Sequence, residues 1–215
     1  RNSEKALMYS IGCGDMRAME HLMDRYLEIV SRTSFRILCD RKDSEAVTCD
    51  VFVHAWNYSE TFDGTLSLES WLLRLTSRYS HIRIMRRTIM YLFGQRPDLF
   101  VTTAPKAADY DDYITKQAWE LFCRASQKLS VRQRVAFALC VLEEIPTHAV
   151  SEITGISQRC LERHLSGAQA RIRKELRLKY NKPEDYDRYV GFLRKVAEGL
   201  TEHDRLKRII MASIS

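Results

Sequence analysis

THAVSEIT (147–154), GIS (155–157) and QRCLERHLSGAQARIRKELRLK (158–179) are consecutive, and their reading decides the fold. In the first piece Val150 and Ile153 are spaced to face inward from a short helix. Gly155 supplies a positive-φ position for a sharp turn, and Ser157 is a suitable N-cap for the next helix. In the last piece Leu161, Leu165, Ala168, Ile172 and Leu176 form a single helical stripe. Gln158, Arg159, Arg163, His164, Arg171, Arg173, Lys174, Arg177 and Lys179 lie off that stripe. A helix, a three-residue turn with glycine and a basic second helix form a helix-turn-helix pattern. The second helix of such a unit enters the DNA major groove. A plain helical hairpin with a solvated basic face shares the periodicity, and the sign of the charge favours DNA.

Working upstream, Ser130 and Gln133 are spaced as a capping box for a helix running through Phe137 to Leu142. Before it, Trp119, Phe122 and Ser126 share a helix face. Residues 88–115 lack sustained periodicity, contain Gly94, Pro97 and Pro105, and end in ADYDDY (108–113), so they read as a linker. The N-terminal part holds three expected helices. The first spans Asp15 to Leu38, with Met19, Leu22, Met23, Tyr26, Ile29, Val30, Thr33 and Ile37 inward. The second runs from about Glu45 to Tyr58, with Cys49, Phe52, Val53 and Trp56 inward. The third runs from about Trp71 to Arg87, with Trp71, Leu72, Leu75, Tyr79, Ile82 and Met85 on its stripe. The loop 59–70 carries the Asp63-Gly64 turn signal.

Charge is distributed unevenly. The 215 residues hold 34 Lys and Arg against 28 Asp and Glu, for +6, a modest excess. Yet no acid occurs between Glu69 and Asp98, a stretch containing Arg74, Arg78, Arg83, Arg86, Arg87 and Arg96. One-signed charge on a helix points to a polyanion. Phe62 and Tyr79 are candidates to stack on unpaired bases, although Tyr79 lies on the apolar stripe.

Beyond Lys179 the chain turns at NKP and offers two more amphipathic helices. One carries Tyr186, Tyr189, Val190, Leu193, Val196 and Leu200; the other, capped by Thr201, carries Leu206, Ile209 and Ile210. They are expected to form a hairpin docked on the second domain, the alternative being a surface for a regulatory partner. No strand alternation is visible, so the expected fold is all-α. It would comprise a helical domain (1–90), a linker (91–115), a helix-turn-helix domain (116–180) and a C-terminal helical extension (181–215).

The six cysteines, Cys13, Cys39, Cys49, Cys123, Cys140 and Cys160, are scattered in the manner of reduced thiols. Cys160 and His164, one turn apart, are an isolated two-ligand fragment, so no metal is expected. No cofactor, catalytic residue or small-molecule substrate is expected, because no phosphate-binding glycine loop or nucleophile–base motif occurs. No membrane-length apolar run or signal peptide is read, so the expected location is the cytoplasm.

In order and separation these motifs resemble the extracytoplasmic-function (ECF) group of bacterial RNA polymerase sigma factors, over about Asp15 to Leu176. DSEAVTCDVFVHAW (43–56), FDG (62–64) and WLLRLTSRYSHIRIMRR (71–87) are similar to the family's first domain. QKLSVRQRVAFALCVLEEIPTHAVSEITGIS (127–157), with the basic helix after it, is similar to the second. The resemblance implies that Glu45, Asp50, His54 and Asn57 meet core RNA polymerase. Loop 59–70 with Phe62 would hold bases of the −10 element, and Arg74, Arg78, Arg83, Arg86 and Arg87 would grip promoter DNA. Gln158, Arg159, Arg163, His164 and Arg171 would engage the −35 element. It also implies that Asp109, Asp111 and Asp112 imitate nucleic acid in the polymerase channel, and it leaves room for an anti-sigma factor. The chain departs from the family at Cys49, Arg78, Ile82, Glu162 and Gly167. Two other readings remain open: a helix-turn-helix regulator with an N-terminal sensing or dimerisation domain, and a sigma-like interaction protein that no longer reads promoters.

Overall fold

The computed structural model describes residues 2–93, 110–180, 186–196 and 203–214, and within 110–115 and 176–180 the backbone alone. Asp109, Gly94, Arg96, Pro97, Pro105, the NKP turn, Leu200 and Thr201 lie outside the described residues, as do the side chains of Asp111, Asp112, Leu176, Arg177 and Lys179. The described residues are all-α, as the sequence predicts. The helices are α1 (Asn2–Gly12), α2 (Met16–Leu38), α3 (Arg41–Asn57), α4 (Leu68–Leu92), α5 (Tyr110–Gln127), α6 (Val131–Phe137), α7 (Thr147–Thr154), α8 (Gln158–Tyr180), α9 (Tyr186–Val196) and α10 (His203–Ile214). No helix among the described residues is long and apolar enough to cross a membrane.

Local chemistry sets the boundaries. The Asp15 carboxylate caps α2 by accepting from the Arg17 and Ala18 amides at 2.9 and 3.3 Å. Asp40 caps α3 by accepting from the Asp43 amide at 2.8 Å. The predicted capping box is present at α6: the Gln133 amide donates to Ser130 Oγ at 3.3 Å, and the Ser130 amide to Gln133 Oε1 at 3.0 Å. Gly155 ends α7 at φ +71°, as the turn between the two helices requires. Helix α1 is not anticipated from the sequence; it buries Met8 and Ile11.

One core gathers α1, α2, α3 and α4 around Leu22, Met23, Leu27, Phe52, Leu68 and Leu72. The stripe expected for α2 is buried, with Ile29 only partly so. Helix α3 differs from expectation: Val47, Val51, Phe52 and Ala55 are buried, while Cys49, Val53 and Trp56 are half-buried. It packs against α2, α4 and α10 at once, so its apolar residues spread around the helix instead of following one line. On α4 the stripe stops at Ser80. Ile82 and Met85, predicted inward, are exposed; at this level α4 meets α3 through Arg83 and Arg87, which bind Asp43.

The second group of helices packs around Trp119, Phe122, Phe137, Ala168, Ile172 and Leu193. A third apolar cluster joins the two halves: Ile37 of α2 and Leu73 of α4 meet Leu139, Val150, Ile153 and Leu161. At the end of α6 the backbone continues as a π-turn, Ala138–Leu142. Such a turn leaves carbonyls outside the regular ladder. Here the Leu142 carbonyl accepts from Arg36 Nη1 at 2.9 Å, and the Val141 carbonyl from Arg194 Nε and Nη2 at 2.9 and 2.8 Å. Glu143, next in sequence, binds Arg36 at 2.8 Å, Arg32 at 3.0 Å and the Thr33 hydroxyl at 3.0 Å, with 2% of its side chain exposed.

The expectation that both tail helices dock on the second half is met by α9 and corrected for α10. Helix α9 buries Tyr189, Val190 and Leu193 against α5. Helix α10 instead packs on α3 and α2, with Leu206 and Ile210 at 2% and 0% exposure in the first core. Arg205 of α10 pairs with Glu45 at 3.5 Å, and Lys207 pairs with Asp24. Ile209, also expected inward, is exposed.

Candidate nucleic-acid interface

The basic face of α8 rests on a tightly packed support. Leu161, Ala168 and Ile172 are fully buried. Gly167 stands under α6 so closely that an added Cβ would lie 2.7 Å from Gln133 Nε2. A side chain there would displace the end of Gln133, whose Oε1 closes the capping box of α6.

At the start of α8, Gln158, Arg159 and Arg163 are exposed. Gln158 Nε2 donates to Glu162 Oε1 at 3.0 Å, and Arg163 Nη2 points to Cys160 Sγ at 3.2 Å. Arg159 forms no ion pair or side-chain hydrogen bond among the described residues, so its guanidinium is available to an outside acceptor. Hydrogen bonds from Ser157 and Arg163 hold the Cys160 thiol below its ordinary range. His164 is half-buried, and burial together with Arg132 and Arg163 pushes its imidazole pKa down. It is therefore a neutral ring at pH 7. Arg171 is spent within the fold, donating to the Lys128 carbonyl.

The α4 arginines are placed differently. Arg74 donates through Nη2 to the Glu152 carbonyl at 2.7 Å and through Nε to the Ile153 carbonyl at 2.9 Å. These belong to the last turn of α7, where carbonyls lack intrahelical partners and the helix dipole favours a cation. Arg83 and Arg87 bind the two oxygens of Asp43 at 2.8 and 2.7 Å. Arg78 and Arg86 are exposed. Of the five α4 arginines expected at DNA, three are thus engaged inside the protein.

Between α4 and the helix-turn-helix lies an open groove of about 420 Å³, lined by Arg74, Arg78, His81, Arg132, Ile153 and Thr154, among others. Arg132 also acts on the His164 ring, which ties this groove electrostatically to the face of α8. Neither Arg132 nor His81 stands out in the sequence. Arg132 joins the one-signed surface only through folding, since it belongs to α6.

The remaining candidates fall on α3 and the loop after it. Glu45 is half-buried and bonded to Arg41 at 3.0 Å as well as to Arg205. Asp50 and Asn57 are exposed. Partial desolvation pushes the Asp50 carboxyl above its ordinary range, against the pull of Arg83 and Arg86. His54 is half-buried, its Nδ1 sharing a hydrogen bond of 3.0 Å with the Tyr79 hydroxyl. Burial, and then the charge of Arg78, lower its pKa. Phe62, a candidate for base stacking, has its ring edge-on to Trp71 at 5.6 Å and only 7% exposed, so in this conformation it belongs to the core. The loop around it is set by Asp63, whose carboxylate accepts from the Thr65 amide and hydroxyl at 2.8 and 2.7 Å, and by Gly64 at φ +76°.

Cys160 and His164 belong to no group of three or more metal-ligand side chains among the described residues. No family model and no curated protein matches the chain.

Proposed function

We propose that the chain is a sigma factor of the ECF group, bringing core RNA polymerase to promoters through DNA contacts from α8 and α4. The observation that carries the reading is the solvent-facing row Gln158, Arg159 and Arg163 at the N-terminal end of α8. A helix-turn-helix presents its base-reading side chains from that part of its second helix. The groove bearing Arg78 and Arg132 extends the positive surface toward α4. The motif order 43–56, 62–64, 71–87 and 127–157 favours a sigma factor over a simple helix-turn-helix regulator. On this reading Asp50 and Asn57, both exposed on α3, face the polymerase.

Scale adds a condition. Elements centred at −10 and −35 lie roughly 85 Å apart, from about 25 base pairs at 3.4 Å each. In the present arrangement Arg74 holds α4 against α7 by direct hydrogen bonds. Reading both elements at once then requires that clasp to open, so the described conformation is the resting one.

Two assays on the full chain test the reading. Pull-down of core polymerase and run-off transcription from promoter-containing DNA are both expected to be positive, and Asp50→Arg is expected to abolish both. Polymerase binding without transcripts would favour the interaction-protein alternative. DNA binding without polymerase binding would favour the helix-turn-helix regulator.

A further inference from the structure

Arg74, Ser77, Arg78 and His81 recur at helical spacing and share one face of α4. That face looks onto the helix-turn-helix half, and with Arg132, Val135 and Ile153 it forms the groove of about 420 Å³. The volume is that of a pocket for a small organic molecule. Duplex DNA is too broad to enter it and could only pass over its rim.

The wall carries charge of one sign. No Asp or Glu lines the groove. Arg78 and Arg132 are exposed, and neither forms an ion pair or side-chain hydrogen bond among the described residues. Arg74 has a different duty. By taking the Glu152 and Ile153 carbonyls at 2.7 and 2.9 Å it covers the negative end of the α7 dipole, which would otherwise repel an anion. Ser77 belongs to the same wall, is 7% exposed, and its hydroxyl has no hydrogen-bond partner among the described residues. Buried donors are rarely left unmet, and an acceptor oxygen lodged in the groove would meet this one. Val135 and Ile153 are buried and, with Ile82, give the groove an apolar side.

We propose that this groove binds a small phosphate ester of the nucleoside diphosphate class. Arg78 and Arg132 take the phosphates, each guanidinium presenting paired N–H donors that match phosphate oxygens. A diphosphate carries more charge than one guanidinium can balance, so two free arginines suit it better than they suit a monoanion. The nucleoside, a flat and partly apolar body, lies against Ile82, Val135 and Ile153. In the sigma-factor reading Arg78 and Arg132 belong to the surface that meets DNA, and the groove gives them a second, small-molecule role. Binding ties α4 to α6 and α7, alongside the hydrogen bonds of Arg74. If the chain is a sigma factor, the ligand would oppose the opening that two promoter elements require; this consequence rests on that proposal, whereas the site itself does not.

ADP and inorganic pyrophosphate serve as probes, titrated by calorimetry into the full chain at low salt. ADP is expected to bind at a single site and more tightly than pyrophosphate, because the nucleoside adds apolar contact. At about a hundredfold excess over Kd it should raise Tm by roughly 5 °C or more. Arg78→Ala and Arg132→Ala should each weaken ADP by about tenfold or more, and both positions are exposed, so the variants should fold. Arg124→Ala removes the same charge from α5, outside the groove, and should leave the affinity within about twofold. An equal loss from all three variants would reduce the site to general attraction of anions and overturn the proposal. Equal affinity for ADP and pyrophosphate would overturn it as well, since the nucleoside would then have no seat. So would the absence of ADP binding at millimolar concentration while a single-stranded oligonucleotide binds and is weakened by Arg78→Ala, which would assign the groove to DNA phosphates. No polymerase or promoter enters these measurements, so their failure would leave the sigma-factor reading standing, and failure of transcription would leave the groove standing.

Discussion

The arginines of α4 and those at the start of α8 look alike in sequence and do different things in the fold. On α4, Arg83 and Arg87 share the Asp43 carboxylate, and Arg74 caps the carbonyl end of α7. On α8, Arg159 meets solvent, and Arg163 touches the soft Cys160 sulfur. A run without acids therefore marks a helix whose neutralising partners lie elsewhere in the chain, and those partners can be DNA or protein. Asp43 stands forty positions before Arg83, beyond the reach of any window of local charge. The difference divides the positive surface into arginines that hold the protein together and arginines left for a ligand.

The sharpest way to break this division is to remove an acid that serves the internal arginines. Glu143→Gln removes a carboxylate bound by Arg32 and Arg36, whose side chains are 22% and 3% exposed. Breaking a buried pair from one side leaves an uncompensated charge and is expected to cost about 3–5 kcal/mol. Denaturant unfolding measures it, and a loss under about 1 kcal/mol would show that water replaces the carboxylate freely. Glu143 comes directly after a π-turn that no periodicity announces, which is why its role is invisible in the sequence.

Ile210→Ala is expected to cost about 2–4 kcal/mol, since the side chain is fully buried in the core of α1 to α4. If the loss fell instead on a transition belonging to the second half, followed through Trp119 fluorescence, α10 would dock where the sequence pattern suggests. The tail shows what such a pattern can and cannot say. The apolar spacing of Leu206 and Ile210 announces an amphipathic helix that must be covered, and both are covered. The pattern carries no information on which surface does the covering. Likewise the turn at Gly155 and the Ser130–Gln133 box are legible, because each is closed within a few residues. The inward set of α3 is not, because α1, α2, α4 and α10 bury it from several sides. Ile82 and Met85 keep the helical period of a buried stripe, yet at this level α4 meets α3 through Arg83 and Arg87 on Asp43, and the stripe faces solvent. For the candidate site, the exposed Gln158, Arg159 and Arg163 are legible from the helix-turn-helix pattern, whereas the contribution of Arg132 needs the fold.

Arg159→Ala with Arg163→Ala should do the reverse of Glu143→Gln. Stability is expected to stay within about 0.5 kcal/mol, as for exposed sites without structural partners. The dependence of DNA affinity on salt should become shallower by roughly one unit for each phosphate interaction removed. Arg83→Ala, whose partner is Asp43, should leave that slope unchanged while lowering stability by about 1 kcal/mol. Equal slopes for both variants would erase the distinction between the two helices.

The smallest effect concerns His54, which sits beside the α4 surface and is bonded to Tyr79 at 3.0 Å. Burial, and then Arg78, hold its folded pKa below the ordinary value of 6.5. A depressed histidine pKa means that the folded state resists protonation more than the unfolded chain does. Its contribution to stability is therefore full above pH 6.5, and it declines as pH falls from there through the folded pKa. Below that pKa both states carry the proton and no further loss occurs. Wild-type protein is expected to lose a little Tm between about pH 7 and 5, and His54→Gln, which cannot titrate, should lose less over the same interval. Arg78→Ala removes the second cause while leaving burial, so the His54 ring followed by NMR should titrate closer to 6.5. A titration unmoved by Arg78→Ala would mean that the guanidinium points away from the ring into solvent, and would move Arg78 further to the side of the arginines left for DNA.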